Sequence, residues 1–116
     1  MRRRTGFPAS VLELVAGRSG VVCEVQWCCD GAPAAEYHHR RPRGAGGTRR
    51  ESASLASNCL HACAADHAWI ESNREYARDR GWLIPQGEDF PETVPVVYRG
   101  RRCLLEDDGT VVVVPE

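Results

Sequence analysis

A pair of adjacent histidines, His38 and His39, lies in a strand pattern that is followed by a helix pattern, and this order constrains the fold most. Residues 35–40 are predicted to form a short strand, which Pro42 ends. From residue 66 onward, apolar residues recur at helical spacing until a glycine at position 81. Because successive side chains of a strand point to opposite faces, the two histidines cannot share one role.

A basic, glycine-rich loop follows the histidines. No acidic residue stands between positions 37 and 50, and glycines there let a backbone approach phosphates closely. Arginine side chains neutralise phosphates and bind them in a bidentate way. Beside the histidines, this pattern favours DNA binding over a plain solvated loop. The predicted phosphate contacts are Arg40, Arg41, Arg43, Arg49 and Arg50.

The predicted helix carries further candidate side chains. His67 and Glu71 stand four residues apart and therefore lie on one helical face. Glu71 fits two roles, either a third metal ligand or a helix carboxylate that pairs with Arg74 or Arg78. His61, in the connection before the helix, has no place in the motif, and we expect it at the surface.

The segment H-H-R-R-P-R-G-A-G-G from residue 38, followed by Asn58 and His67, resembles the HNH endonuclease family. The likeness is to its small actinobacterial and phage-type members and covers about residues 19–83. It implies an α+β fold with a ββα-metal (His-Me finger) core, a helix before it and a C-terminal β-hairpin extension. It also implies metal-dependent hydrolysis of DNA phosphodiester bonds, which leaves a 5'-phosphate and a 3'-hydroxyl.

The resemblance assigns a role to each motif residue. It implies that His38 and His67 hold one divalent ion (Mg, Mn, Ni or Zn), that His39 is the general base and that Asn58 positions the base or the loop. An imidazole suits a base because its ordinary pKa, roughly 6.5, lies near working pH. The alternatives are a non-catalytic or partner-dependent nucleic-acid-binding module and a zinc-stabilised interaction domain. The implied partners are DNA and phage packaging proteins.

Six cysteines indicate metal ligation rather than disulfides, because the chain shows no signal-peptide pattern. Many family members hold their core with paired cysteine knuckles, and this chain departs from that pattern. Its counterpart to the first knuckle is Cys23 with Cys28 or Cys29, and its counterpart to the second is Cys63 with Asp66. Asp66 fits two roles, a ligand of structural zinc or the N-cap of the helix.

The flanking segments predict further elements. Pro8 opens a helix that Ser10 could cap and that glycines at 17 and 20 end, and residues 21–25 are predicted to form a strand. After the helix, three strands are expected at 96–98, 103–105 and 111–114, the last two joined by a turn at Asp108 and Gly109.

The composition bounds the class of protein. Charged residues make up 27% and hydrophobic ones 42% of 116 residues, which is typical of one globular domain over 1–116. Without an apolar run of about 18 residues, a membrane-spanning protein is not expected. The apolar stretch after the basic N-terminus is interrupted by Glu13, so we expect no signal peptide and a cytoplasmic location in a bacterial or phage setting.

The charge is unevenly distributed along the chain. Residues 1–50 hold nine arginines against four acidic residues, a balance of +5, whereas residues 84–116 hold three against seven, a balance of −4. The basic part coincides with the histidine pair, as a surface that faces phosphates requires. The acidic C-terminal part is expected to be a β extension outside the motif.

Overall fold

The computed structural model describes residues 6–42, 51–86 and 90–115, and these ranges form an α+β fold with short helices and two small antiparallel sheets. The α-helices and strands are α1 (Ala9–Ser19), β1 (Glu36–His39), β2 (Cys59–Ala62), α2 (Ala64–Ser72), α3 (Arg74–Asp79), β3 (Val96–Tyr98), β4 (Arg101–Leu105) and β5 (Val111–Val113). Turns of 3-10 helix lie at Glu51–Ser54, Ala56–Asn58 and Pro91–Thr93. The α+β class that the sequence predicts is therefore confirmed.

Helix α1 forms where the sequence predicts a helix. It starts directly after Pro8, whose φ of −61° is fixed by its ring, and it ends at Gly20 in the left-handed region at φ 64°. Val11 and Val15, one turn apart, are buried. The predicted cap at Ser10 is wrong, because α1 starts at Ala9 and its N-cap is Pro8.

Strands β1 and β2 pair antiparallel and carry the histidine pair into the core. His38 lies opposite Leu60 and His39 opposite Cys59. Strand β1 agrees with the predicted strand, but the segment predicted as a connection over 58–63 contains β2. All four residues of β2 are buried. A strand covered on both faces lacks the alternation of apolar and polar residues by which a strand is recognised.

The strand predicted over residues 21–25 is absent from that described segment. Only a single bridge, between Val22 and Pro33, is formed there. Val21 has a φ of 62° and Gln26 a φ of 53°, so the backbone turns at both ends of the segment. The segment instead wraps around Cys23, whose backbone N–H donates to the carbonyl of Ala32.

The helix predicted after Asp66 is two helices, α2 and α3, that meet at Asn73. The φ and ψ of Asn73 are −132° and 54°, and its side-chain Nδ2 donates to the carbonyl of Trp69 at 2.9 Å. Asparagine competes for backbone hydrogen bonds in this way and interrupts helices. The end at Gly81 agrees with the sequence, since this glycine has a φ of 75°.

The three strands predicted after the helices exist as β3, β4 and β5, and they form one antiparallel sheet. Arg99 and Gly100 both have positive φ at the β3–β4 turn, and Gly109 has a φ of 94° at the β4–β5 turn. This sheet is part of the main core rather than an appendage. Its buried Val96, Tyr98, Cys103 and Leu105 belong to the same cluster as residues of β2, α2 and the segment around Cys23.

A buried ion pair joins the segment around Cys23 to three other elements. The Glu24 carboxylate accepts two hydrogen bonds from Arg18, from Nε and Nη2, both at 2.7 Å. It also accepts one from the hydroxyl of Tyr98 at 2.6 Å and one from the backbone N–H of His61 at 2.8 Å. Each carboxylate oxygen is thus satisfied twice, so the charge of Glu24 is compensated although the residue is fully buried.

We expect Glu24→Gln to lower the free energy of unfolding by about 3–5 kcal/mol, because it leaves the buried Arg18 without its counter-charge. Urea denaturation at fixed metal content measures the change. Glu13→Gln is the matched control, since Glu13 is exposed on α1. A loss below about 1 kcal/mol for Glu24→Gln, as for an exposed pair, would contradict this account.

Candidate metal centres

Three side chains from β1 and α2 converge at one cavity. Ligand atoms of His38, His67 and Glu71 all lie within 4.8 Å of one another. The cavity is about 540 Å³, and its lining residues are Tyr37, His38, His39, Pro42, His67, Glu71 and Arg74. The structure therefore brings together the two histidines and the carboxylate that the sequence nominated as metal ligands, and this group can hold a metal ion.

His38 is oriented by a single backbone contact. Its Nε2 lies 2.7 Å from the carbonyl oxygen of Trp82, which can only accept a hydrogen bond. The proton of the neutral ring therefore sits on Nε2, and the lone pair of Nδ1 is available to a metal. Burial lowers the pKa of His38 to about 3, so the ring is neutral at physiological pH. A neutral imidazole is the form that binds metals.

His67 is oriented by a carboxylate that sequence reasoning missed. Its Nδ1 is hydrogen-bonded to Oε1 of Glu36, so the proton lies on Nδ1 and Nε2 is available to a metal. Glu36 stands two residues before His38 and therefore shares its face of β1. That alternation was the available signal, but nothing local in the sequence links Glu36 to His67, which is 31 positions away.

The position of Glu71 is compatible with both roles that the sequence left open. Its Oε1 accepts a hydrogen bond from Nη1 of Arg74 at 2.9 Å. A carboxylate oxygen of Glu71 also lies within 4.8 Å of a ring nitrogen of His38 and of His67. The ion pair is with Arg74 and not with the other predicted partner, Arg78. Glu71 is half exposed, so its carboxylate can rotate between Arg74 and a metal ion held by the two histidines.

His39 leaves β1 on the other side from His38. Its ring stacks on Phe7 with 4.0 Å between the ring centroids and an angle of 13° between the planes. His38 by contrast lies beside His67, with 5.0 Å between their ring centroids. The opposite orientations follow from the pleat of the strand. His39 nevertheless also lines the cavity.

Asn58 fixes the chain that leaves β1. Its side-chain Oδ1 accepts a hydrogen bond from the backbone N–H of Arg41 at 2.8 Å. Its Nδ2 donates to the carbonyls of Arg41 and Ala53, at 3.2 Å and 3.0 Å. Asn58 is fully buried and does not line the cavity. It therefore holds the loop two residues after His39 rather than touching the cavity itself.

The predicted phosphate contacts at Arg40 and Arg41 are wrong, because residues that are 0% and 2% exposed do not present a charge to DNA. The guanidinium of Arg40 donates to backbone carbonyls of Ser57, Gly81, Pro91 and Val94. Burial and the nearby charge of Arg18 lower the pKa of Arg40 to about 9. The other three, Arg43, Arg49 and Arg50, lie outside the described residues.

A second group of potential ligands lies between the segment around Cys23 and the start of α2. Three thiol sulfurs surround Oδ2 of Asp66: those of Cys23 at 3.2 Å, Cys63 at 3.3 Å and Cys29 at 3.4 Å. The four ligand atoms lie within 4.8 Å of one another. This cluster can hold a metal ion. The sequence named Cys23, Cys63 and Asp66 as candidate ligands and left the fourth open between Cys28 and Cys29.

The sequence left open whether Cys28 or Cys29 belongs to this cluster, and in the structure it is Cys29. The side chain of Cys28 is exposed, and Cys28 is not a member of the group. Cys28 contributes through its backbone N–H, which donates to Oδ1 of Asp66 at 2.6 Å. The backbone N–H of Trp27 reaches the same oxygen at 3.2 Å. These two donors orient Asp66 so that its other oxygen faces the thiols.

Of the two roles that the sequence left open for Asp66, the helix cap is wrong. The N-cap of α2 is Cys63, whose sulfur accepts a hydrogen bond from the backbone N–H of Asp66 at 3.4 Å. Asp66 is the third residue of the helix, and its side chain points back to the thiol cluster. Burial would raise its pKa, but hydrogen bonds from Cys28 and the surrounding thiols lower it below the ordinary value. The carboxylate is therefore ionised and suited to a cation.

The surface position predicted for His61 is also wrong. His61 is 4% exposed, its ring stacks on Tyr37 at 4.3 Å between centroids, and its Nδ1 is hydrogen-bonded to Oγ of Ser19 at 2.8 Å. Tyr37 lies directly opposite on β1. His61 is thus a structural residue that joins β2 to α1.

Comparisons with protein-family models, curated proteins and solved structures found no match for this chain. Within the described ranges, no helix combines the length and the apolar character that crossing a membrane requires. The resemblance to HNH endonucleases therefore stays a prediction from the motif residues of the sequence.

Proposed function

We propose that this protein is a metal-dependent HNH endonuclease that hydrolyses DNA phosphodiester bonds. In this proposal β1, β2 and α2 form the ββα-metal core. The observation that carries it is the convergence of His38, His67 and Glu71 on a cavity that His39 also lines. His38 and His67 come from two elements and are 29 positions apart, so their meeting is a property of the fold and not of local sequence.

The donor set fits a catalytic divalent ion. Two imidazoles and a carboxylate leave coordination positions for water and substrate, as in other catalytic metal sites. Both imidazoles are held by acceptors behind them, Trp82 for His38 and Glu36 for His67, which fixes their orientation. A divalent ion in this place would polarise the phosphoryl oxygens and stabilise the leaving alkoxide.

The remaining roles follow from the positions of His39 and Asn58. His39 is the residue that takes a proton from the water that attacks phosphorus, and Phe7 holds its ring in place by stacking. Asn58 fixes the peptide of Arg41 and with it the end of β1. It acts through the backbone, so it is a positioning residue. Arg43, Arg49 and Arg50 stay candidates for DNA contacts.

The thiol cluster fits a structural zinc ion. Zn–S bonds of about 2.3 Å and Zn–O bonds of about 2.0 Å in a tetrahedron place sulfur and oxygen roughly 3.5 Å apart. The three distances from Asp66 Oδ2 to sulfur are 3.2, 3.3 and 3.4 Å, slightly shorter than that value. Backbone N–H groups of Gln26 and Cys63 also point at the sulfur of Cys23, where they would stabilise a thiolate. Zinc in this place would tie the segment around Cys23 to α2.

A second candidate function is nucleic-acid binding without cleavage by a zinc-stabilised module. The packing of His39 against Phe7 favours it, because a histidine with a purely structural role needs neither a substrate nor a nearby metal. The two candidates differ in one respect that can be measured. Only the nuclease needs a metal ion at His38 and His67.

Incubation of the purified protein with supercoiled DNA tests the proposal. We expect cleavage with Mg, Mn, Ni or Zn, none with a chelator, and a loss of cleavage in His67→Ala. Glu75→Ala, on the exposed surface of α3, is the matched control and should cut like the wild type. DNA binding without cutting under every metal would reject the nuclease and support the second candidate.

A further inference from the structure

Arg74 lies at the candidate catalytic centre without a role in the motif. It lines the cavity together with His38, His67 and Glu71. Its guanidinium is bonded to Glu71 by a single hydrogen bond, and the two side chains are 44% and 50% exposed. Exposed ion pairs of this kind contribute little to stability, so the contact is easily exchanged for another.

The partner of Arg74 is itself a candidate metal ligand. A cation held by His38 and His67 attracts the Glu71 carboxylate, which lies within ligand distance of both. Arg74 and the metal ion thus compete for the same negative charge. When Glu71 turns to the metal, Arg74 is left in the cavity with donors directed to a new anion. Arginine carries five N–H donors in a planar fork that matches phosphate oxygens.

The charge balance of the cavity favours an anion beside Arg74. Glu36 and Glu71 together offset the charge of a divalent ion, so among the described groups at this centre the net positive charge comes from Arg74. A phosphodiester brings one negative charge to the cavity. Without Arg74, the described groups of this centre would offer that phosphate no positive charge besides the metal ion.

We propose that Arg74 binds the non-bridging oxygens of the substrate phosphate, after Glu71 has passed from Arg74 to the metal ion. The inference rests on the proposed nuclease function and adds a phosphate-binding residue to it. Its consequence is a coupling of two ligands: Arg74 opposes metal binding when DNA is absent and favours DNA binding once the metal is present.

The test compares Arg74→Gln with Arg78→Gln, a control on the same helix outside the cavity, and uses manganese and a short DNA duplex as probes. Titration calorimetry without DNA should show manganese binding unchanged or tightened by up to about fivefold in Arg74→Gln, since a weak competitor is lost. With manganese present, duplex affinity in the non-cutting His39→Ala background should fall about 10- to 100-fold on Arg74→Gln, as expected for a charged hydrogen bond to phosphate. Inorganic phosphate should inhibit wild-type cleavage more than that of Arg74→Gln. Arg78→Gln should leave all three readouts unchanged.

A loss of duplex affinity without a loss of manganese affinity distinguishes a phosphate contact from a structural residue. A variant that weakens manganese and DNA binding together, or leaves duplex affinity at the wild-type value, overturns the inference. In that outcome a wild type that still cuts DNA with metal keeps the proposed function intact. A wild type that binds no metal at this centre overturns both.

Discussion

Replacing His39 with alanine should lower the rate of DNA cleavage by about 10²- to 10⁴-fold, the usual contribution of a positioned general base. Manganese affinity and duplex affinity should stay near the wild-type values, because His39 is not a member of the metal-ligand group. Single-turnover cleavage of supercoiled DNA at saturating metal measures the rate. Calorimetry with manganese measures the binding that should persist.

The stacking of His39 on Phe7 calls for a control that separates chemistry from packing. His39→Phe keeps an aromatic ring against Phe7 but has no basic nitrogen, so it should be as inactive as His39→Ala and more stable to urea. Phe7→Leu removes the ring that positions His39 but keeps the basic nitrogen, so it should lose less activity than His39→Ala. Cleavage by His39→Phe at the wild-type rate would remove His39 from the mechanism.

Local periodicity predicted those features of the candidate catalytic centre that depend on a single element. The alternation of a strand separated His38 from His39, and helical spacing placed His67 and Glu71 together. Both expectations agree with the structure. Glu36 was missed because its partner lies on another element, and a contact between elements has no local period.

Burial decides the features that the sequence could not reveal. Strand β2 is covered on both faces, so its four residues show no alternation. Arg40 was predicted at the surface because its neighbours are basic, whereas carbonyls from four distant residues surround it. A guanidinium can be buried in this way when its donors are satisfied. The acceptors around Arg40 are backbone carbonyls, which every residue carries, so nothing in the sequence indicates them.

The choice between Cys28 and Cys29 depended on backbone turns. Gln26 has a φ of 53° and Gly31 a φ of 94°, and together they curl the segment so that Cys29 faces Asp66. Spacing alone allowed either cysteine. The conformation of Gln26 is unusual for a residue with a side chain, so the sequence carried no signal for the turn.

Zinc removal should unfold the protein if the thiol cluster holds zinc. Structural zinc contributes on the order of 10–16 kcal/mol, which is comparable to the whole stability of about 5–15 kcal/mol of a native protein. The cluster ties Cys23 and Cys29 to Cys63 and Asp66 at the start of α2, so its loss removes a link inside the main core. Native mass spectrometry should find zinc in protein purified without added metal, and circular dichroism should show unfolding on thiol-specific chelation.

Single substitutions distinguish metal binding at the thiol cluster from metal binding at His38, His67 and Glu71. Cys29→Ser should lose zinc and stability, whereas Cys28→Ser should lose neither, because the side chain of Cys28 is exposed and outside the group. Asp66→Cys should tighten zinc binding, since thiolate is the softer donor. Asp66→Asn should weaken it, because an amide oxygen lacks the charge that holds the cation, and a mere helix cap would tolerate this change.

In cobalt-substituted protein, thiolate charge-transfer absorption should disappear in Cys29→Ser and persist in His67→Ala. A wild type that is folded and free of metal would refute the zinc assignment and leave the four groups as a hydrogen-bonded cluster.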